Sequence, residues 1–214
     1  MSAALGLLEV GGWSPGMVIL DGMEKSATVS VLQAELNDRP GVCLKITGSV
    51  GDVQTAIDAA KAIAAQMQVE IVTDVIPGPD PGSNRAYEAK PDYNPLIEQL
   101  SVQIPPPAGT GREKSKKEQR VKPQADFAVG LIETQGFTAV FEAIDTALKT
   151  ADVEVLAREK LGGGYITVLI KGDVAAVSAA VDAGKARAEG LGKLIAAHVI
   201  PSPSAGVLSL VQKL

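Results

Sequence analysis

The stretch that decides the fold is residues 130–151, GLIETQGFTAVFEAIDTALKTA, because it repeats an earlier part of the same chain. Residues 6–27 read GLLEVGGWSPGMVILDGMEKSA and match it without a gap at an offset of 124 residues. The register holds over 6–79 against 130–203, with 26 identities in 74 pairs. The chain is therefore a tandem duplication, and we expect its two halves to share one fold.

Each repeat predicts the order strand, helix, two strands, helix, strand. In the second repeat an apolar run at 129–133 predicts the first strand, and apolar residues at helical spacing follow it. Alternating apolar residues then predict a hairpin of two half-buried strands. Ser14 and Thr138 are predicted to cap the first helix of each repeat. Ser49 and Asp173 are predicted to cap the second helix. The predicted class is α+β, with helices on one face of a mainly antiparallel sheet.

A different composition separates the two repeats. Residues 94–100 predict a short helix at the end of an extension of the first repeat. The segment 105–125 opens Pro-rich and continues as a basic stretch, which is typical of a flexible, solvated linker. A nucleic acid or an acidic partner is the alternative role for its positive charge. The predicted domains are therefore 1–104 and 126–214, joined by this linker.

The composition of the 214 residues narrows the possible functions. Aromatic residues make up only 3% of the chain, which argues against stacking platforms for single-stranded nucleic acid. A net charge of −5 argues against a phosphate-binding surface spread over the molecule. Cys43 and His198 are the single cysteine and histidine, so neither an intrachain disulfide nor a multi-histidine metal site is possible. The chain lacks a long apolar run or a secretory signal, which predicts a soluble cytoplasmic protein without a membrane partner.

The second repeat resembles a known family, the shell (BMC) domain of bacterial microcompartments. The resemblance is carried by GLIETQG at 130–136, GGGYITVLIKGDVAAV at 162–177 and HVIPSP at 198–203. It extends in register, though more weakly, to the first repeat and leaves out only the linker. Two such domains in one chain are similar to the tandem-domain shell proteins.

The resemblance implies both a fold and a function. It implies two unpermuted, ferredoxin-like BMC domains and a homotrimer that imitates a hexamer of single domains. Such a pseudohexamer would be a non-catalytic tile that packs edge to edge with other BMC shell proteins in the bacterial cytoplasm. A central pore would pass small polar or anionic metabolites, and no nucleic acid or membrane partner is implied. Whether two trimers stack face to face, as in gated forms, stays open.

The resemblance also assigns roles to particular residues. It places Lys25 and Lys149 at the packing edge, while Gly78 and Ser202 stand where the family usually has an arginine. At the pore the resemblance places two loops: Asn37, Asp38, Arg39 and Pro40 from the first repeat, and Leu161, Gly162, Gly163 and Gly164 from the second. A ring of Arg39 would favour anions, and Asp38 would moderate that preference.

No cofactor or metal is expected. Some tandem shell proteins hold an iron–sulfur cluster through a cysteine in the pore loop, but this chain has Arg39 there, which cannot ligate iron. Cys43 is expected to pack in a strand as a small hydrophobe, and His198 in or beside the last strand. The rival hypothesis is a small-molecule-binding or enzymatic α+β homotrimer with a site between the repeats. An acid, a base and a nucleophile in one cleft would favour that rival.

Overall fold

Each repeat folds into the predicted β-α-β-β-α-β unit. The computed structural model describes residues 3–37, 40–83, 87–106 and 125–211. The first repeat comprises β1 (Ala4–Gly11), α1 (Trp13–Ser26), β2 (Val29–Asn37), β3 (Gly41–Gly48), α2 (Val50–Met67) and β4 (Ile71–Ile76). Its extension holds β5 (Tyr93–Asn94), β6 (Gln99–Leu100) and β7 (Val102–Gln103). The second repeat comprises β8 (Ala128–Gln135), α3 (Phe137–Thr150), β9 (Glu154–Gly162), β10 (Tyr165–Gly172), α4 (Val174–Glu189), β11 (Lys193–Ile200) and α5 (Ala205–Leu210).

Both repeats build an antiparallel sheet with the same strand arrangement. The first sheet has the order β4-β1-β3-β2-β7 and the second the order β11-β8-β10-β9. In each repeat the two long helices pack on each other and on the same sheet. This arrangement confirms the prediction of two α+β units of one fold. Most of the proposed linker, residues 107–124, lies outside the described residues.

The extension of the first repeat differs from the prediction. Residues 94–100, predicted as a helix, form the β5–β6 hairpin instead. The Asn94 side chain accepts the Leu96 N–H at 3.0 Å, and Glu98 has a positive φ of 56°. A side-chain turn and a left-handed residue both compete with a helix. The next strand, β7, then pairs with the β2 edge of the first sheet.

The helix caps agree with the prediction in half of the cases. Ser49 accepts the Asp52 N–H at 3.1 Å, and Asp173 accepts the Ala176 N–H at 2.9 Å, so the caps of α2 and α4 are confirmed. The predicted caps Ser14 and Thr138 are wrong, because α1 and α3 begin two residues earlier, directly after glycines. Gly12 and Gly136 have φ values of 86° and 115°, which let the strand turn directly into the helix but supply no side-chain cap.

No helix within the described ranges is long and apolar enough to span a bilayer.

The core between helices and sheet depends on a glycine in the first strand of each repeat. A Cβ added to Gly130 would lie 2.6 Å from Val181 Cγ2 and 2.9 Å from Val177 Cγ1 on α4. The equivalent Gly6 meets Ile46 and Val53 at 2.7 and 2.8 Å. Both helices therefore approach their strand more closely than any side chain would permit.

We expect Gly130→Ala to lower the free energy of unfolding by about 1–3 kcal/mol, because the added methyl group overpacks this contact. Urea titration followed by circular dichroism measures the change. Gly51→Ala is the matched control, since nothing lies within 4 Å of its Cβ position and alanine favours the helix. Equal stability of the Gly130→Ala variant and the wild type would contradict this account of the packing.

Candidate functional site: the interface between the repeats and the adjoining loops

The two repeats share a buried interface in which α1 lies on the second sheet. The outer face of that sheet carries Val129, Leu131 and Leu169, all with no exposed surface. These side chains join the core cluster of the first repeat, which also contains Trp13 and Met17 from α1. The strand β8 is thus buried on both faces, by its own helices on one side and by α1 on the other.

A buried carboxylate fixes the start of α1 on this interface. Glu133, fully buried on β8, accepts the backbone N–H of Trp13 at 3.0 Å and that of Ser14 at 2.9 Å. The first amides of a helix have no partner within the helix and carry its positive dipole end, so a carboxylate is a favourable acceptor there. Glu133 therefore supplies, from the other repeat, the cap that Gly12 lacks. Burial raises the pKa of Glu133, and the two N–H groups oppose this rise.

Two further carboxylates, from α1 itself, hold the other end of this helix. Asp21 accepts the Ser204 N–H at 2.8 Å, and Glu24 accepts the Gly206 N–H at 2.7 Å. Both amides belong to the start of α5, which follows the second repeat. Each repeat therefore caps a helix of the other, and α1 is fixed at both ends.

The extension of the first repeat adds a third connection between the repeats. The Gln99 side chain donates to the Lys160 carbonyl at 2.6 Å and accepts the Lys160 N–H at 3.0 Å. It thereby imitates a strand partner for the exposed edge of β9. Lys160 also forms an ion pair with Glu98 at 2.7 Å, and Gln103 donates to Glu159 at 3.2 Å.

The loops predicted to line a pore lie next to this interface. Asn37, Pro40 and residues 161–164 line one cavity of about 620 Å³, while Asp38 and Arg39 lie outside the described residues. Gly162, Gly163 and Gly164 have φ values of 89°, 60° and 82°. Positive φ values at three successive positions strongly favour glycine, so the loop adopts a path that other residues rarely follow.

The two lysines predicted at the packing edge occupy equivalent places near the ends of α1 and α3. Lys25 pairs with Asp21 at 2.6 Å, and Lys149 pairs with Asp145 at 2.5 Å, each one helical turn away. The Lys25 side chain is 37% exposed and that of Lys149 is 74% exposed. Both ammonium groups are therefore available at the surface, although each already has an acidic partner.

The surfaces equivalent to this interface are partly exposed, one on each repeat. On α3, Phe137 and Phe141 stand at the positions of Trp13 and Met17 but are 44% and 48% exposed. On the outer face of the first sheet, Glu9 stands at the position of Glu133 and is exposed. Sequence reasoning missed these surfaces. The offset of 124 residues pairs each of these exposed residues with a buried one, but the difference in burial is visible only in the structure.

Among the residues that the structure describes, Cys43 and His198 lie on different sheets, on β3 and β11. Burial raises the pKa of the half-buried Cys43 thiol on β3. Burial, followed by the charge of Lys185, lowers the pKa of His198 on β11. Within the described ranges, no three His, Cys, Asp or Glu side chains group together in a way that could hold a metal ion.

Two α+β repeats that cap each other's helices define a tandem-domain protein that packs domain against domain. The family model for the BMC domain matches residues 4–79 and 128–203. The chain therefore belongs to the BMC domain family, the shell proteins of bacterial microcompartments, and carries two copies of the domain. As such it is structural rather than enzymatic, and its place is the microcompartment shell in the bacterial cytoplasm.

One relative matches about two fifths of this chain, and another matches both repeats. The bacterial microcompartment shell protein PduA of Citrobacter freundii is 46% identical over 86 residues, which is 40% of this chain and 92% of PduA. The carboxysome assembly protein CcmO of Synechococcus elongatus is 31% identical over 202 residues, which is 94% of this chain and 66% of CcmO. The chain thus spans about two thirds of the length of CcmO. A solved microcompartment protein from Desulfitobacterium hafniense aligns over 95% of this chain and 96% of its own, with 28% identity and a TM-score of 0.37.

Stability should depend on pH through Glu133. Its pKa is higher in the folded state than in the unfolded state, so the fold favours the protonated form. The contribution to stability is then complete below the ordinary pKa of a glutamate and is lost as the pH rises through the raised value. We expect the free energy of unfolding of the wild type, relative to Glu133→Gln, to fall over that window by at most about 1.4 kcal/mol per pH unit.

Urea titrations at a series of pH values, followed by the fluorescence of Trp13, measure this difference. Trp13 is the single tryptophan and lies in the interface, so its emission reports on the contact itself. Parallel stability profiles for the two proteins would show that Glu133 is not the titrating group.

Proposed function

We propose that the chain forms a homotrimer of six BMC domains, which is a flat tile of the shell with a pore at its centre. One observation carries the proposal. The contact between α1 and the second sheet is buried within the chain, while parts of its counterparts are exposed: Phe137 and Phe141 on α3, and Glu9 and Val72 on the outer face of the first sheet. A second copy of the chain can fill both open surfaces with the same kind of contact.

The contact is heterologous, since it joins a helix face to a different surface, a sheet face. Repeated heterologous contacts produce either a closed ring or an open filament. The hexagonal arrangement implied by the BMC family closes after six domains, which is three chains. The exposed Phe137 and Phe141 support this arrangement, because monomeric proteins rarely leave such a stripe on one helix uncovered.

The central pore of this ring would be lined by two alternating loops. Supporting this, the described members of both loops already lie beside one cavity: Asn37, Pro40, Leu161, Gly162, Gly163 and Gly164. The first loop brings the charges of Asp38 and Arg39, and the second brings backbone amides and carbonyls without side chains. Such a rim suits small polar or anionic metabolites.

Lateral packing would join this tile to other BMC shell proteins and to its own copies. Lys25 and Lys149 are the proposed contacts at the rim, supported by their exposure at equivalent helix ends. Gly78 and Ser202 offer no charged side chain in the closing segment of either repeat. The lateral contact would therefore depend mainly on the lysines and on backbone packing.

Assembly into the ring can be tested at Phe141. The wild type should sediment at about 66 kDa, three times the chain mass of 22.0 kDa. Phe141→Asp places a charge in the middle of the proposed contact and should raise the dissociation constant at least thirtyfold, roughly the effect of losing an interface hot spot. Sedimentation velocity over a dilution series measures both values.

Val174→Asp is the matched control, because Val174 is 48% exposed, as Phe141 is, but lies at the start of α4. Its counterpart Val50 in the first repeat is 46% exposed, so this position lies outside the contact in both repeats. A wild type that stays monomeric at high concentration would overturn the proposal. So would equal losses of assembly in the two variants.

Ion selectivity tests the pore. Arg39→Glu reverses the proposed charge of one loop and should shift the reversal potential of single pores in a planar bilayer away from anion preference. Lys61→Glu, an exposed position on α2, makes the same charge change elsewhere on the tile. Equal reversal potentials in the Arg39 variant and the wild type would show that this loop does not line the conduction path.

A further inference from the structure

The sequence repeats one carboxylate and one helix start in both halves of the chain. Glu9 and Glu133 are equivalent at the offset of 124 residues, and so are Gly12 and Gly136. Both glycines have a positive φ, and neither supplies a side-chain cap to its own helix. In one case the structure shows the result: Glu133 receives the first two amides of α1.

In the other case the two halves of the contact lie apart. Glu9 is exposed on β1, and its carboxylate forms no hydrogen bond with any of the residues that the structure describes. In the other repeat, α3 begins with Phe137 and Thr138 on the surface. A carboxylate without donors and a helix start without an acceptor are chemically complementary.

The surroundings of Glu9 provide room for such a helix start. Glu9 lines an open groove of about 670 Å³, together with Val10, Gly11, Asn37, Gly41 and residues 69–72. Val72, which pairs with Glu9 across the sheet, is 69% exposed and supplies an apolar wall for an aromatic ring. The groove therefore places the Glu9 carboxylate beside an exposed apolar side chain, and Glu70 is a second carboxylate in its lining.

We propose that Glu9 of one chain caps α3 of the next chain by accepting the backbone N–H groups of Phe137 and Thr138. The partner is a second copy of this chain, and the inference rests on the ring proposed above. Glu9 is then a positioning residue of the subunit contact. Only the start of a helix presents two free amides along its axis, so the carboxylate fixes the direction and register of the incoming helix.

The inference predicts a loss of association when the second acceptor oxygen is removed. In Glu9→Gln one amide of α3 would face an NH₂ group instead of an oxygen, and a charge-assisted bond would be lost. The dissociation constant of the subunits should rise at least about tenfold. Sedimentation velocity over a dilution series measures it. Glu189→Gln is the control, since it makes the same change at an exposed position on α4.

A double-mutant cycle tests whether Glu9 acts on these amides. Thr138→Pro removes one of the two donors at a position in the first turn of α3, where proline is tolerated. If Glu9 bonds that amide, the two substitutions together should weaken association by clearly less than the product of their separate effects. Circular dichroism of the isolated variants shows whether α3 still folds, and Glu9→Gln alone remains informative if it does not.

The outcomes separate this inference from the ring itself. If Phe141→Asp abolishes association and Glu9→Gln leaves it unchanged, the ring stands and the role of Glu9 is overturned. Independent effects of Glu9→Gln and Thr138→Pro overturn that role as well. A wild type that never associates overturns both proposals together.

Discussion

The structure depends on the contact between the Glu133 carboxylate and the first amides of α1. A strand that turns directly into a helix through a glycine leaves those amides without a local acceptor, and an uncapped start on a buried face is costly. Glu133 satisfies them from the other repeat, so neither repeat is complete without its neighbour. The side chains of Trp13 and Met17 bury apolar surface against the second sheet. The Glu133 carboxylate fixes the position of α1 on that sheet, because it must lie at the first amides of the helix.

At the C-terminal end of α1, carboxylates again accept helix amides across the boundary between the repeats, but the residues differ. Asp21 and Glu24 hold the start of α5, so charge again meets helix amides across the boundary between the repeats. The equivalents on α3 are Asp145 and Leu148, so one of the two carboxylates has no counterpart there. Duplication therefore retained the glutamate pair Glu9 and Glu133 at one end of the two surfaces and changed one carboxylate at the other.

Much of the fold was predictable from the sequence because its signals are local. The alternation of the strands and the caps Ser49 and Asp173 depend on residues within a few positions of each other, and the repeat provides a second copy of the same pattern. The hairpin at 93–100 was missed because a side-chain turn at Asn94 overrides a helical pattern of apolar residues. The early start of α1 was missed because its first amides are capped by Glu133, which lies 120 positions away in the sequence. The start of α3 was missed because Gly136, like Gly12, gives no side-chain signal of a cap.

The candidate site was predictable only in part, for the same reason. The positions of the loops at 37–40 and 161–164 follow from the strand order, but the contact of Glu133 with Trp13 spans 120 residues. No sequence pattern within one repeat predicts this contact between Glu133 and Trp13. A comparison of the two repeats for residues whose burial differs, such as Trp13 and Phe137, reveals it once coordinates exist.

The triple-glycine loop at 162–164 has a consequence for how a fused chain differs from six identical subunits. Covalent linkage forces the two loop types to alternate, since each chain must contribute one of each. The proposed opening then has three-fold rather than six-fold chemistry, with side-chain-bearing sectors separated by sectors of bare backbone. Substitutions at 37–40 would change the charge in three sectors of the opening, while the three glycine sectors keep the same width. Charge and width of one opening can therefore change independently.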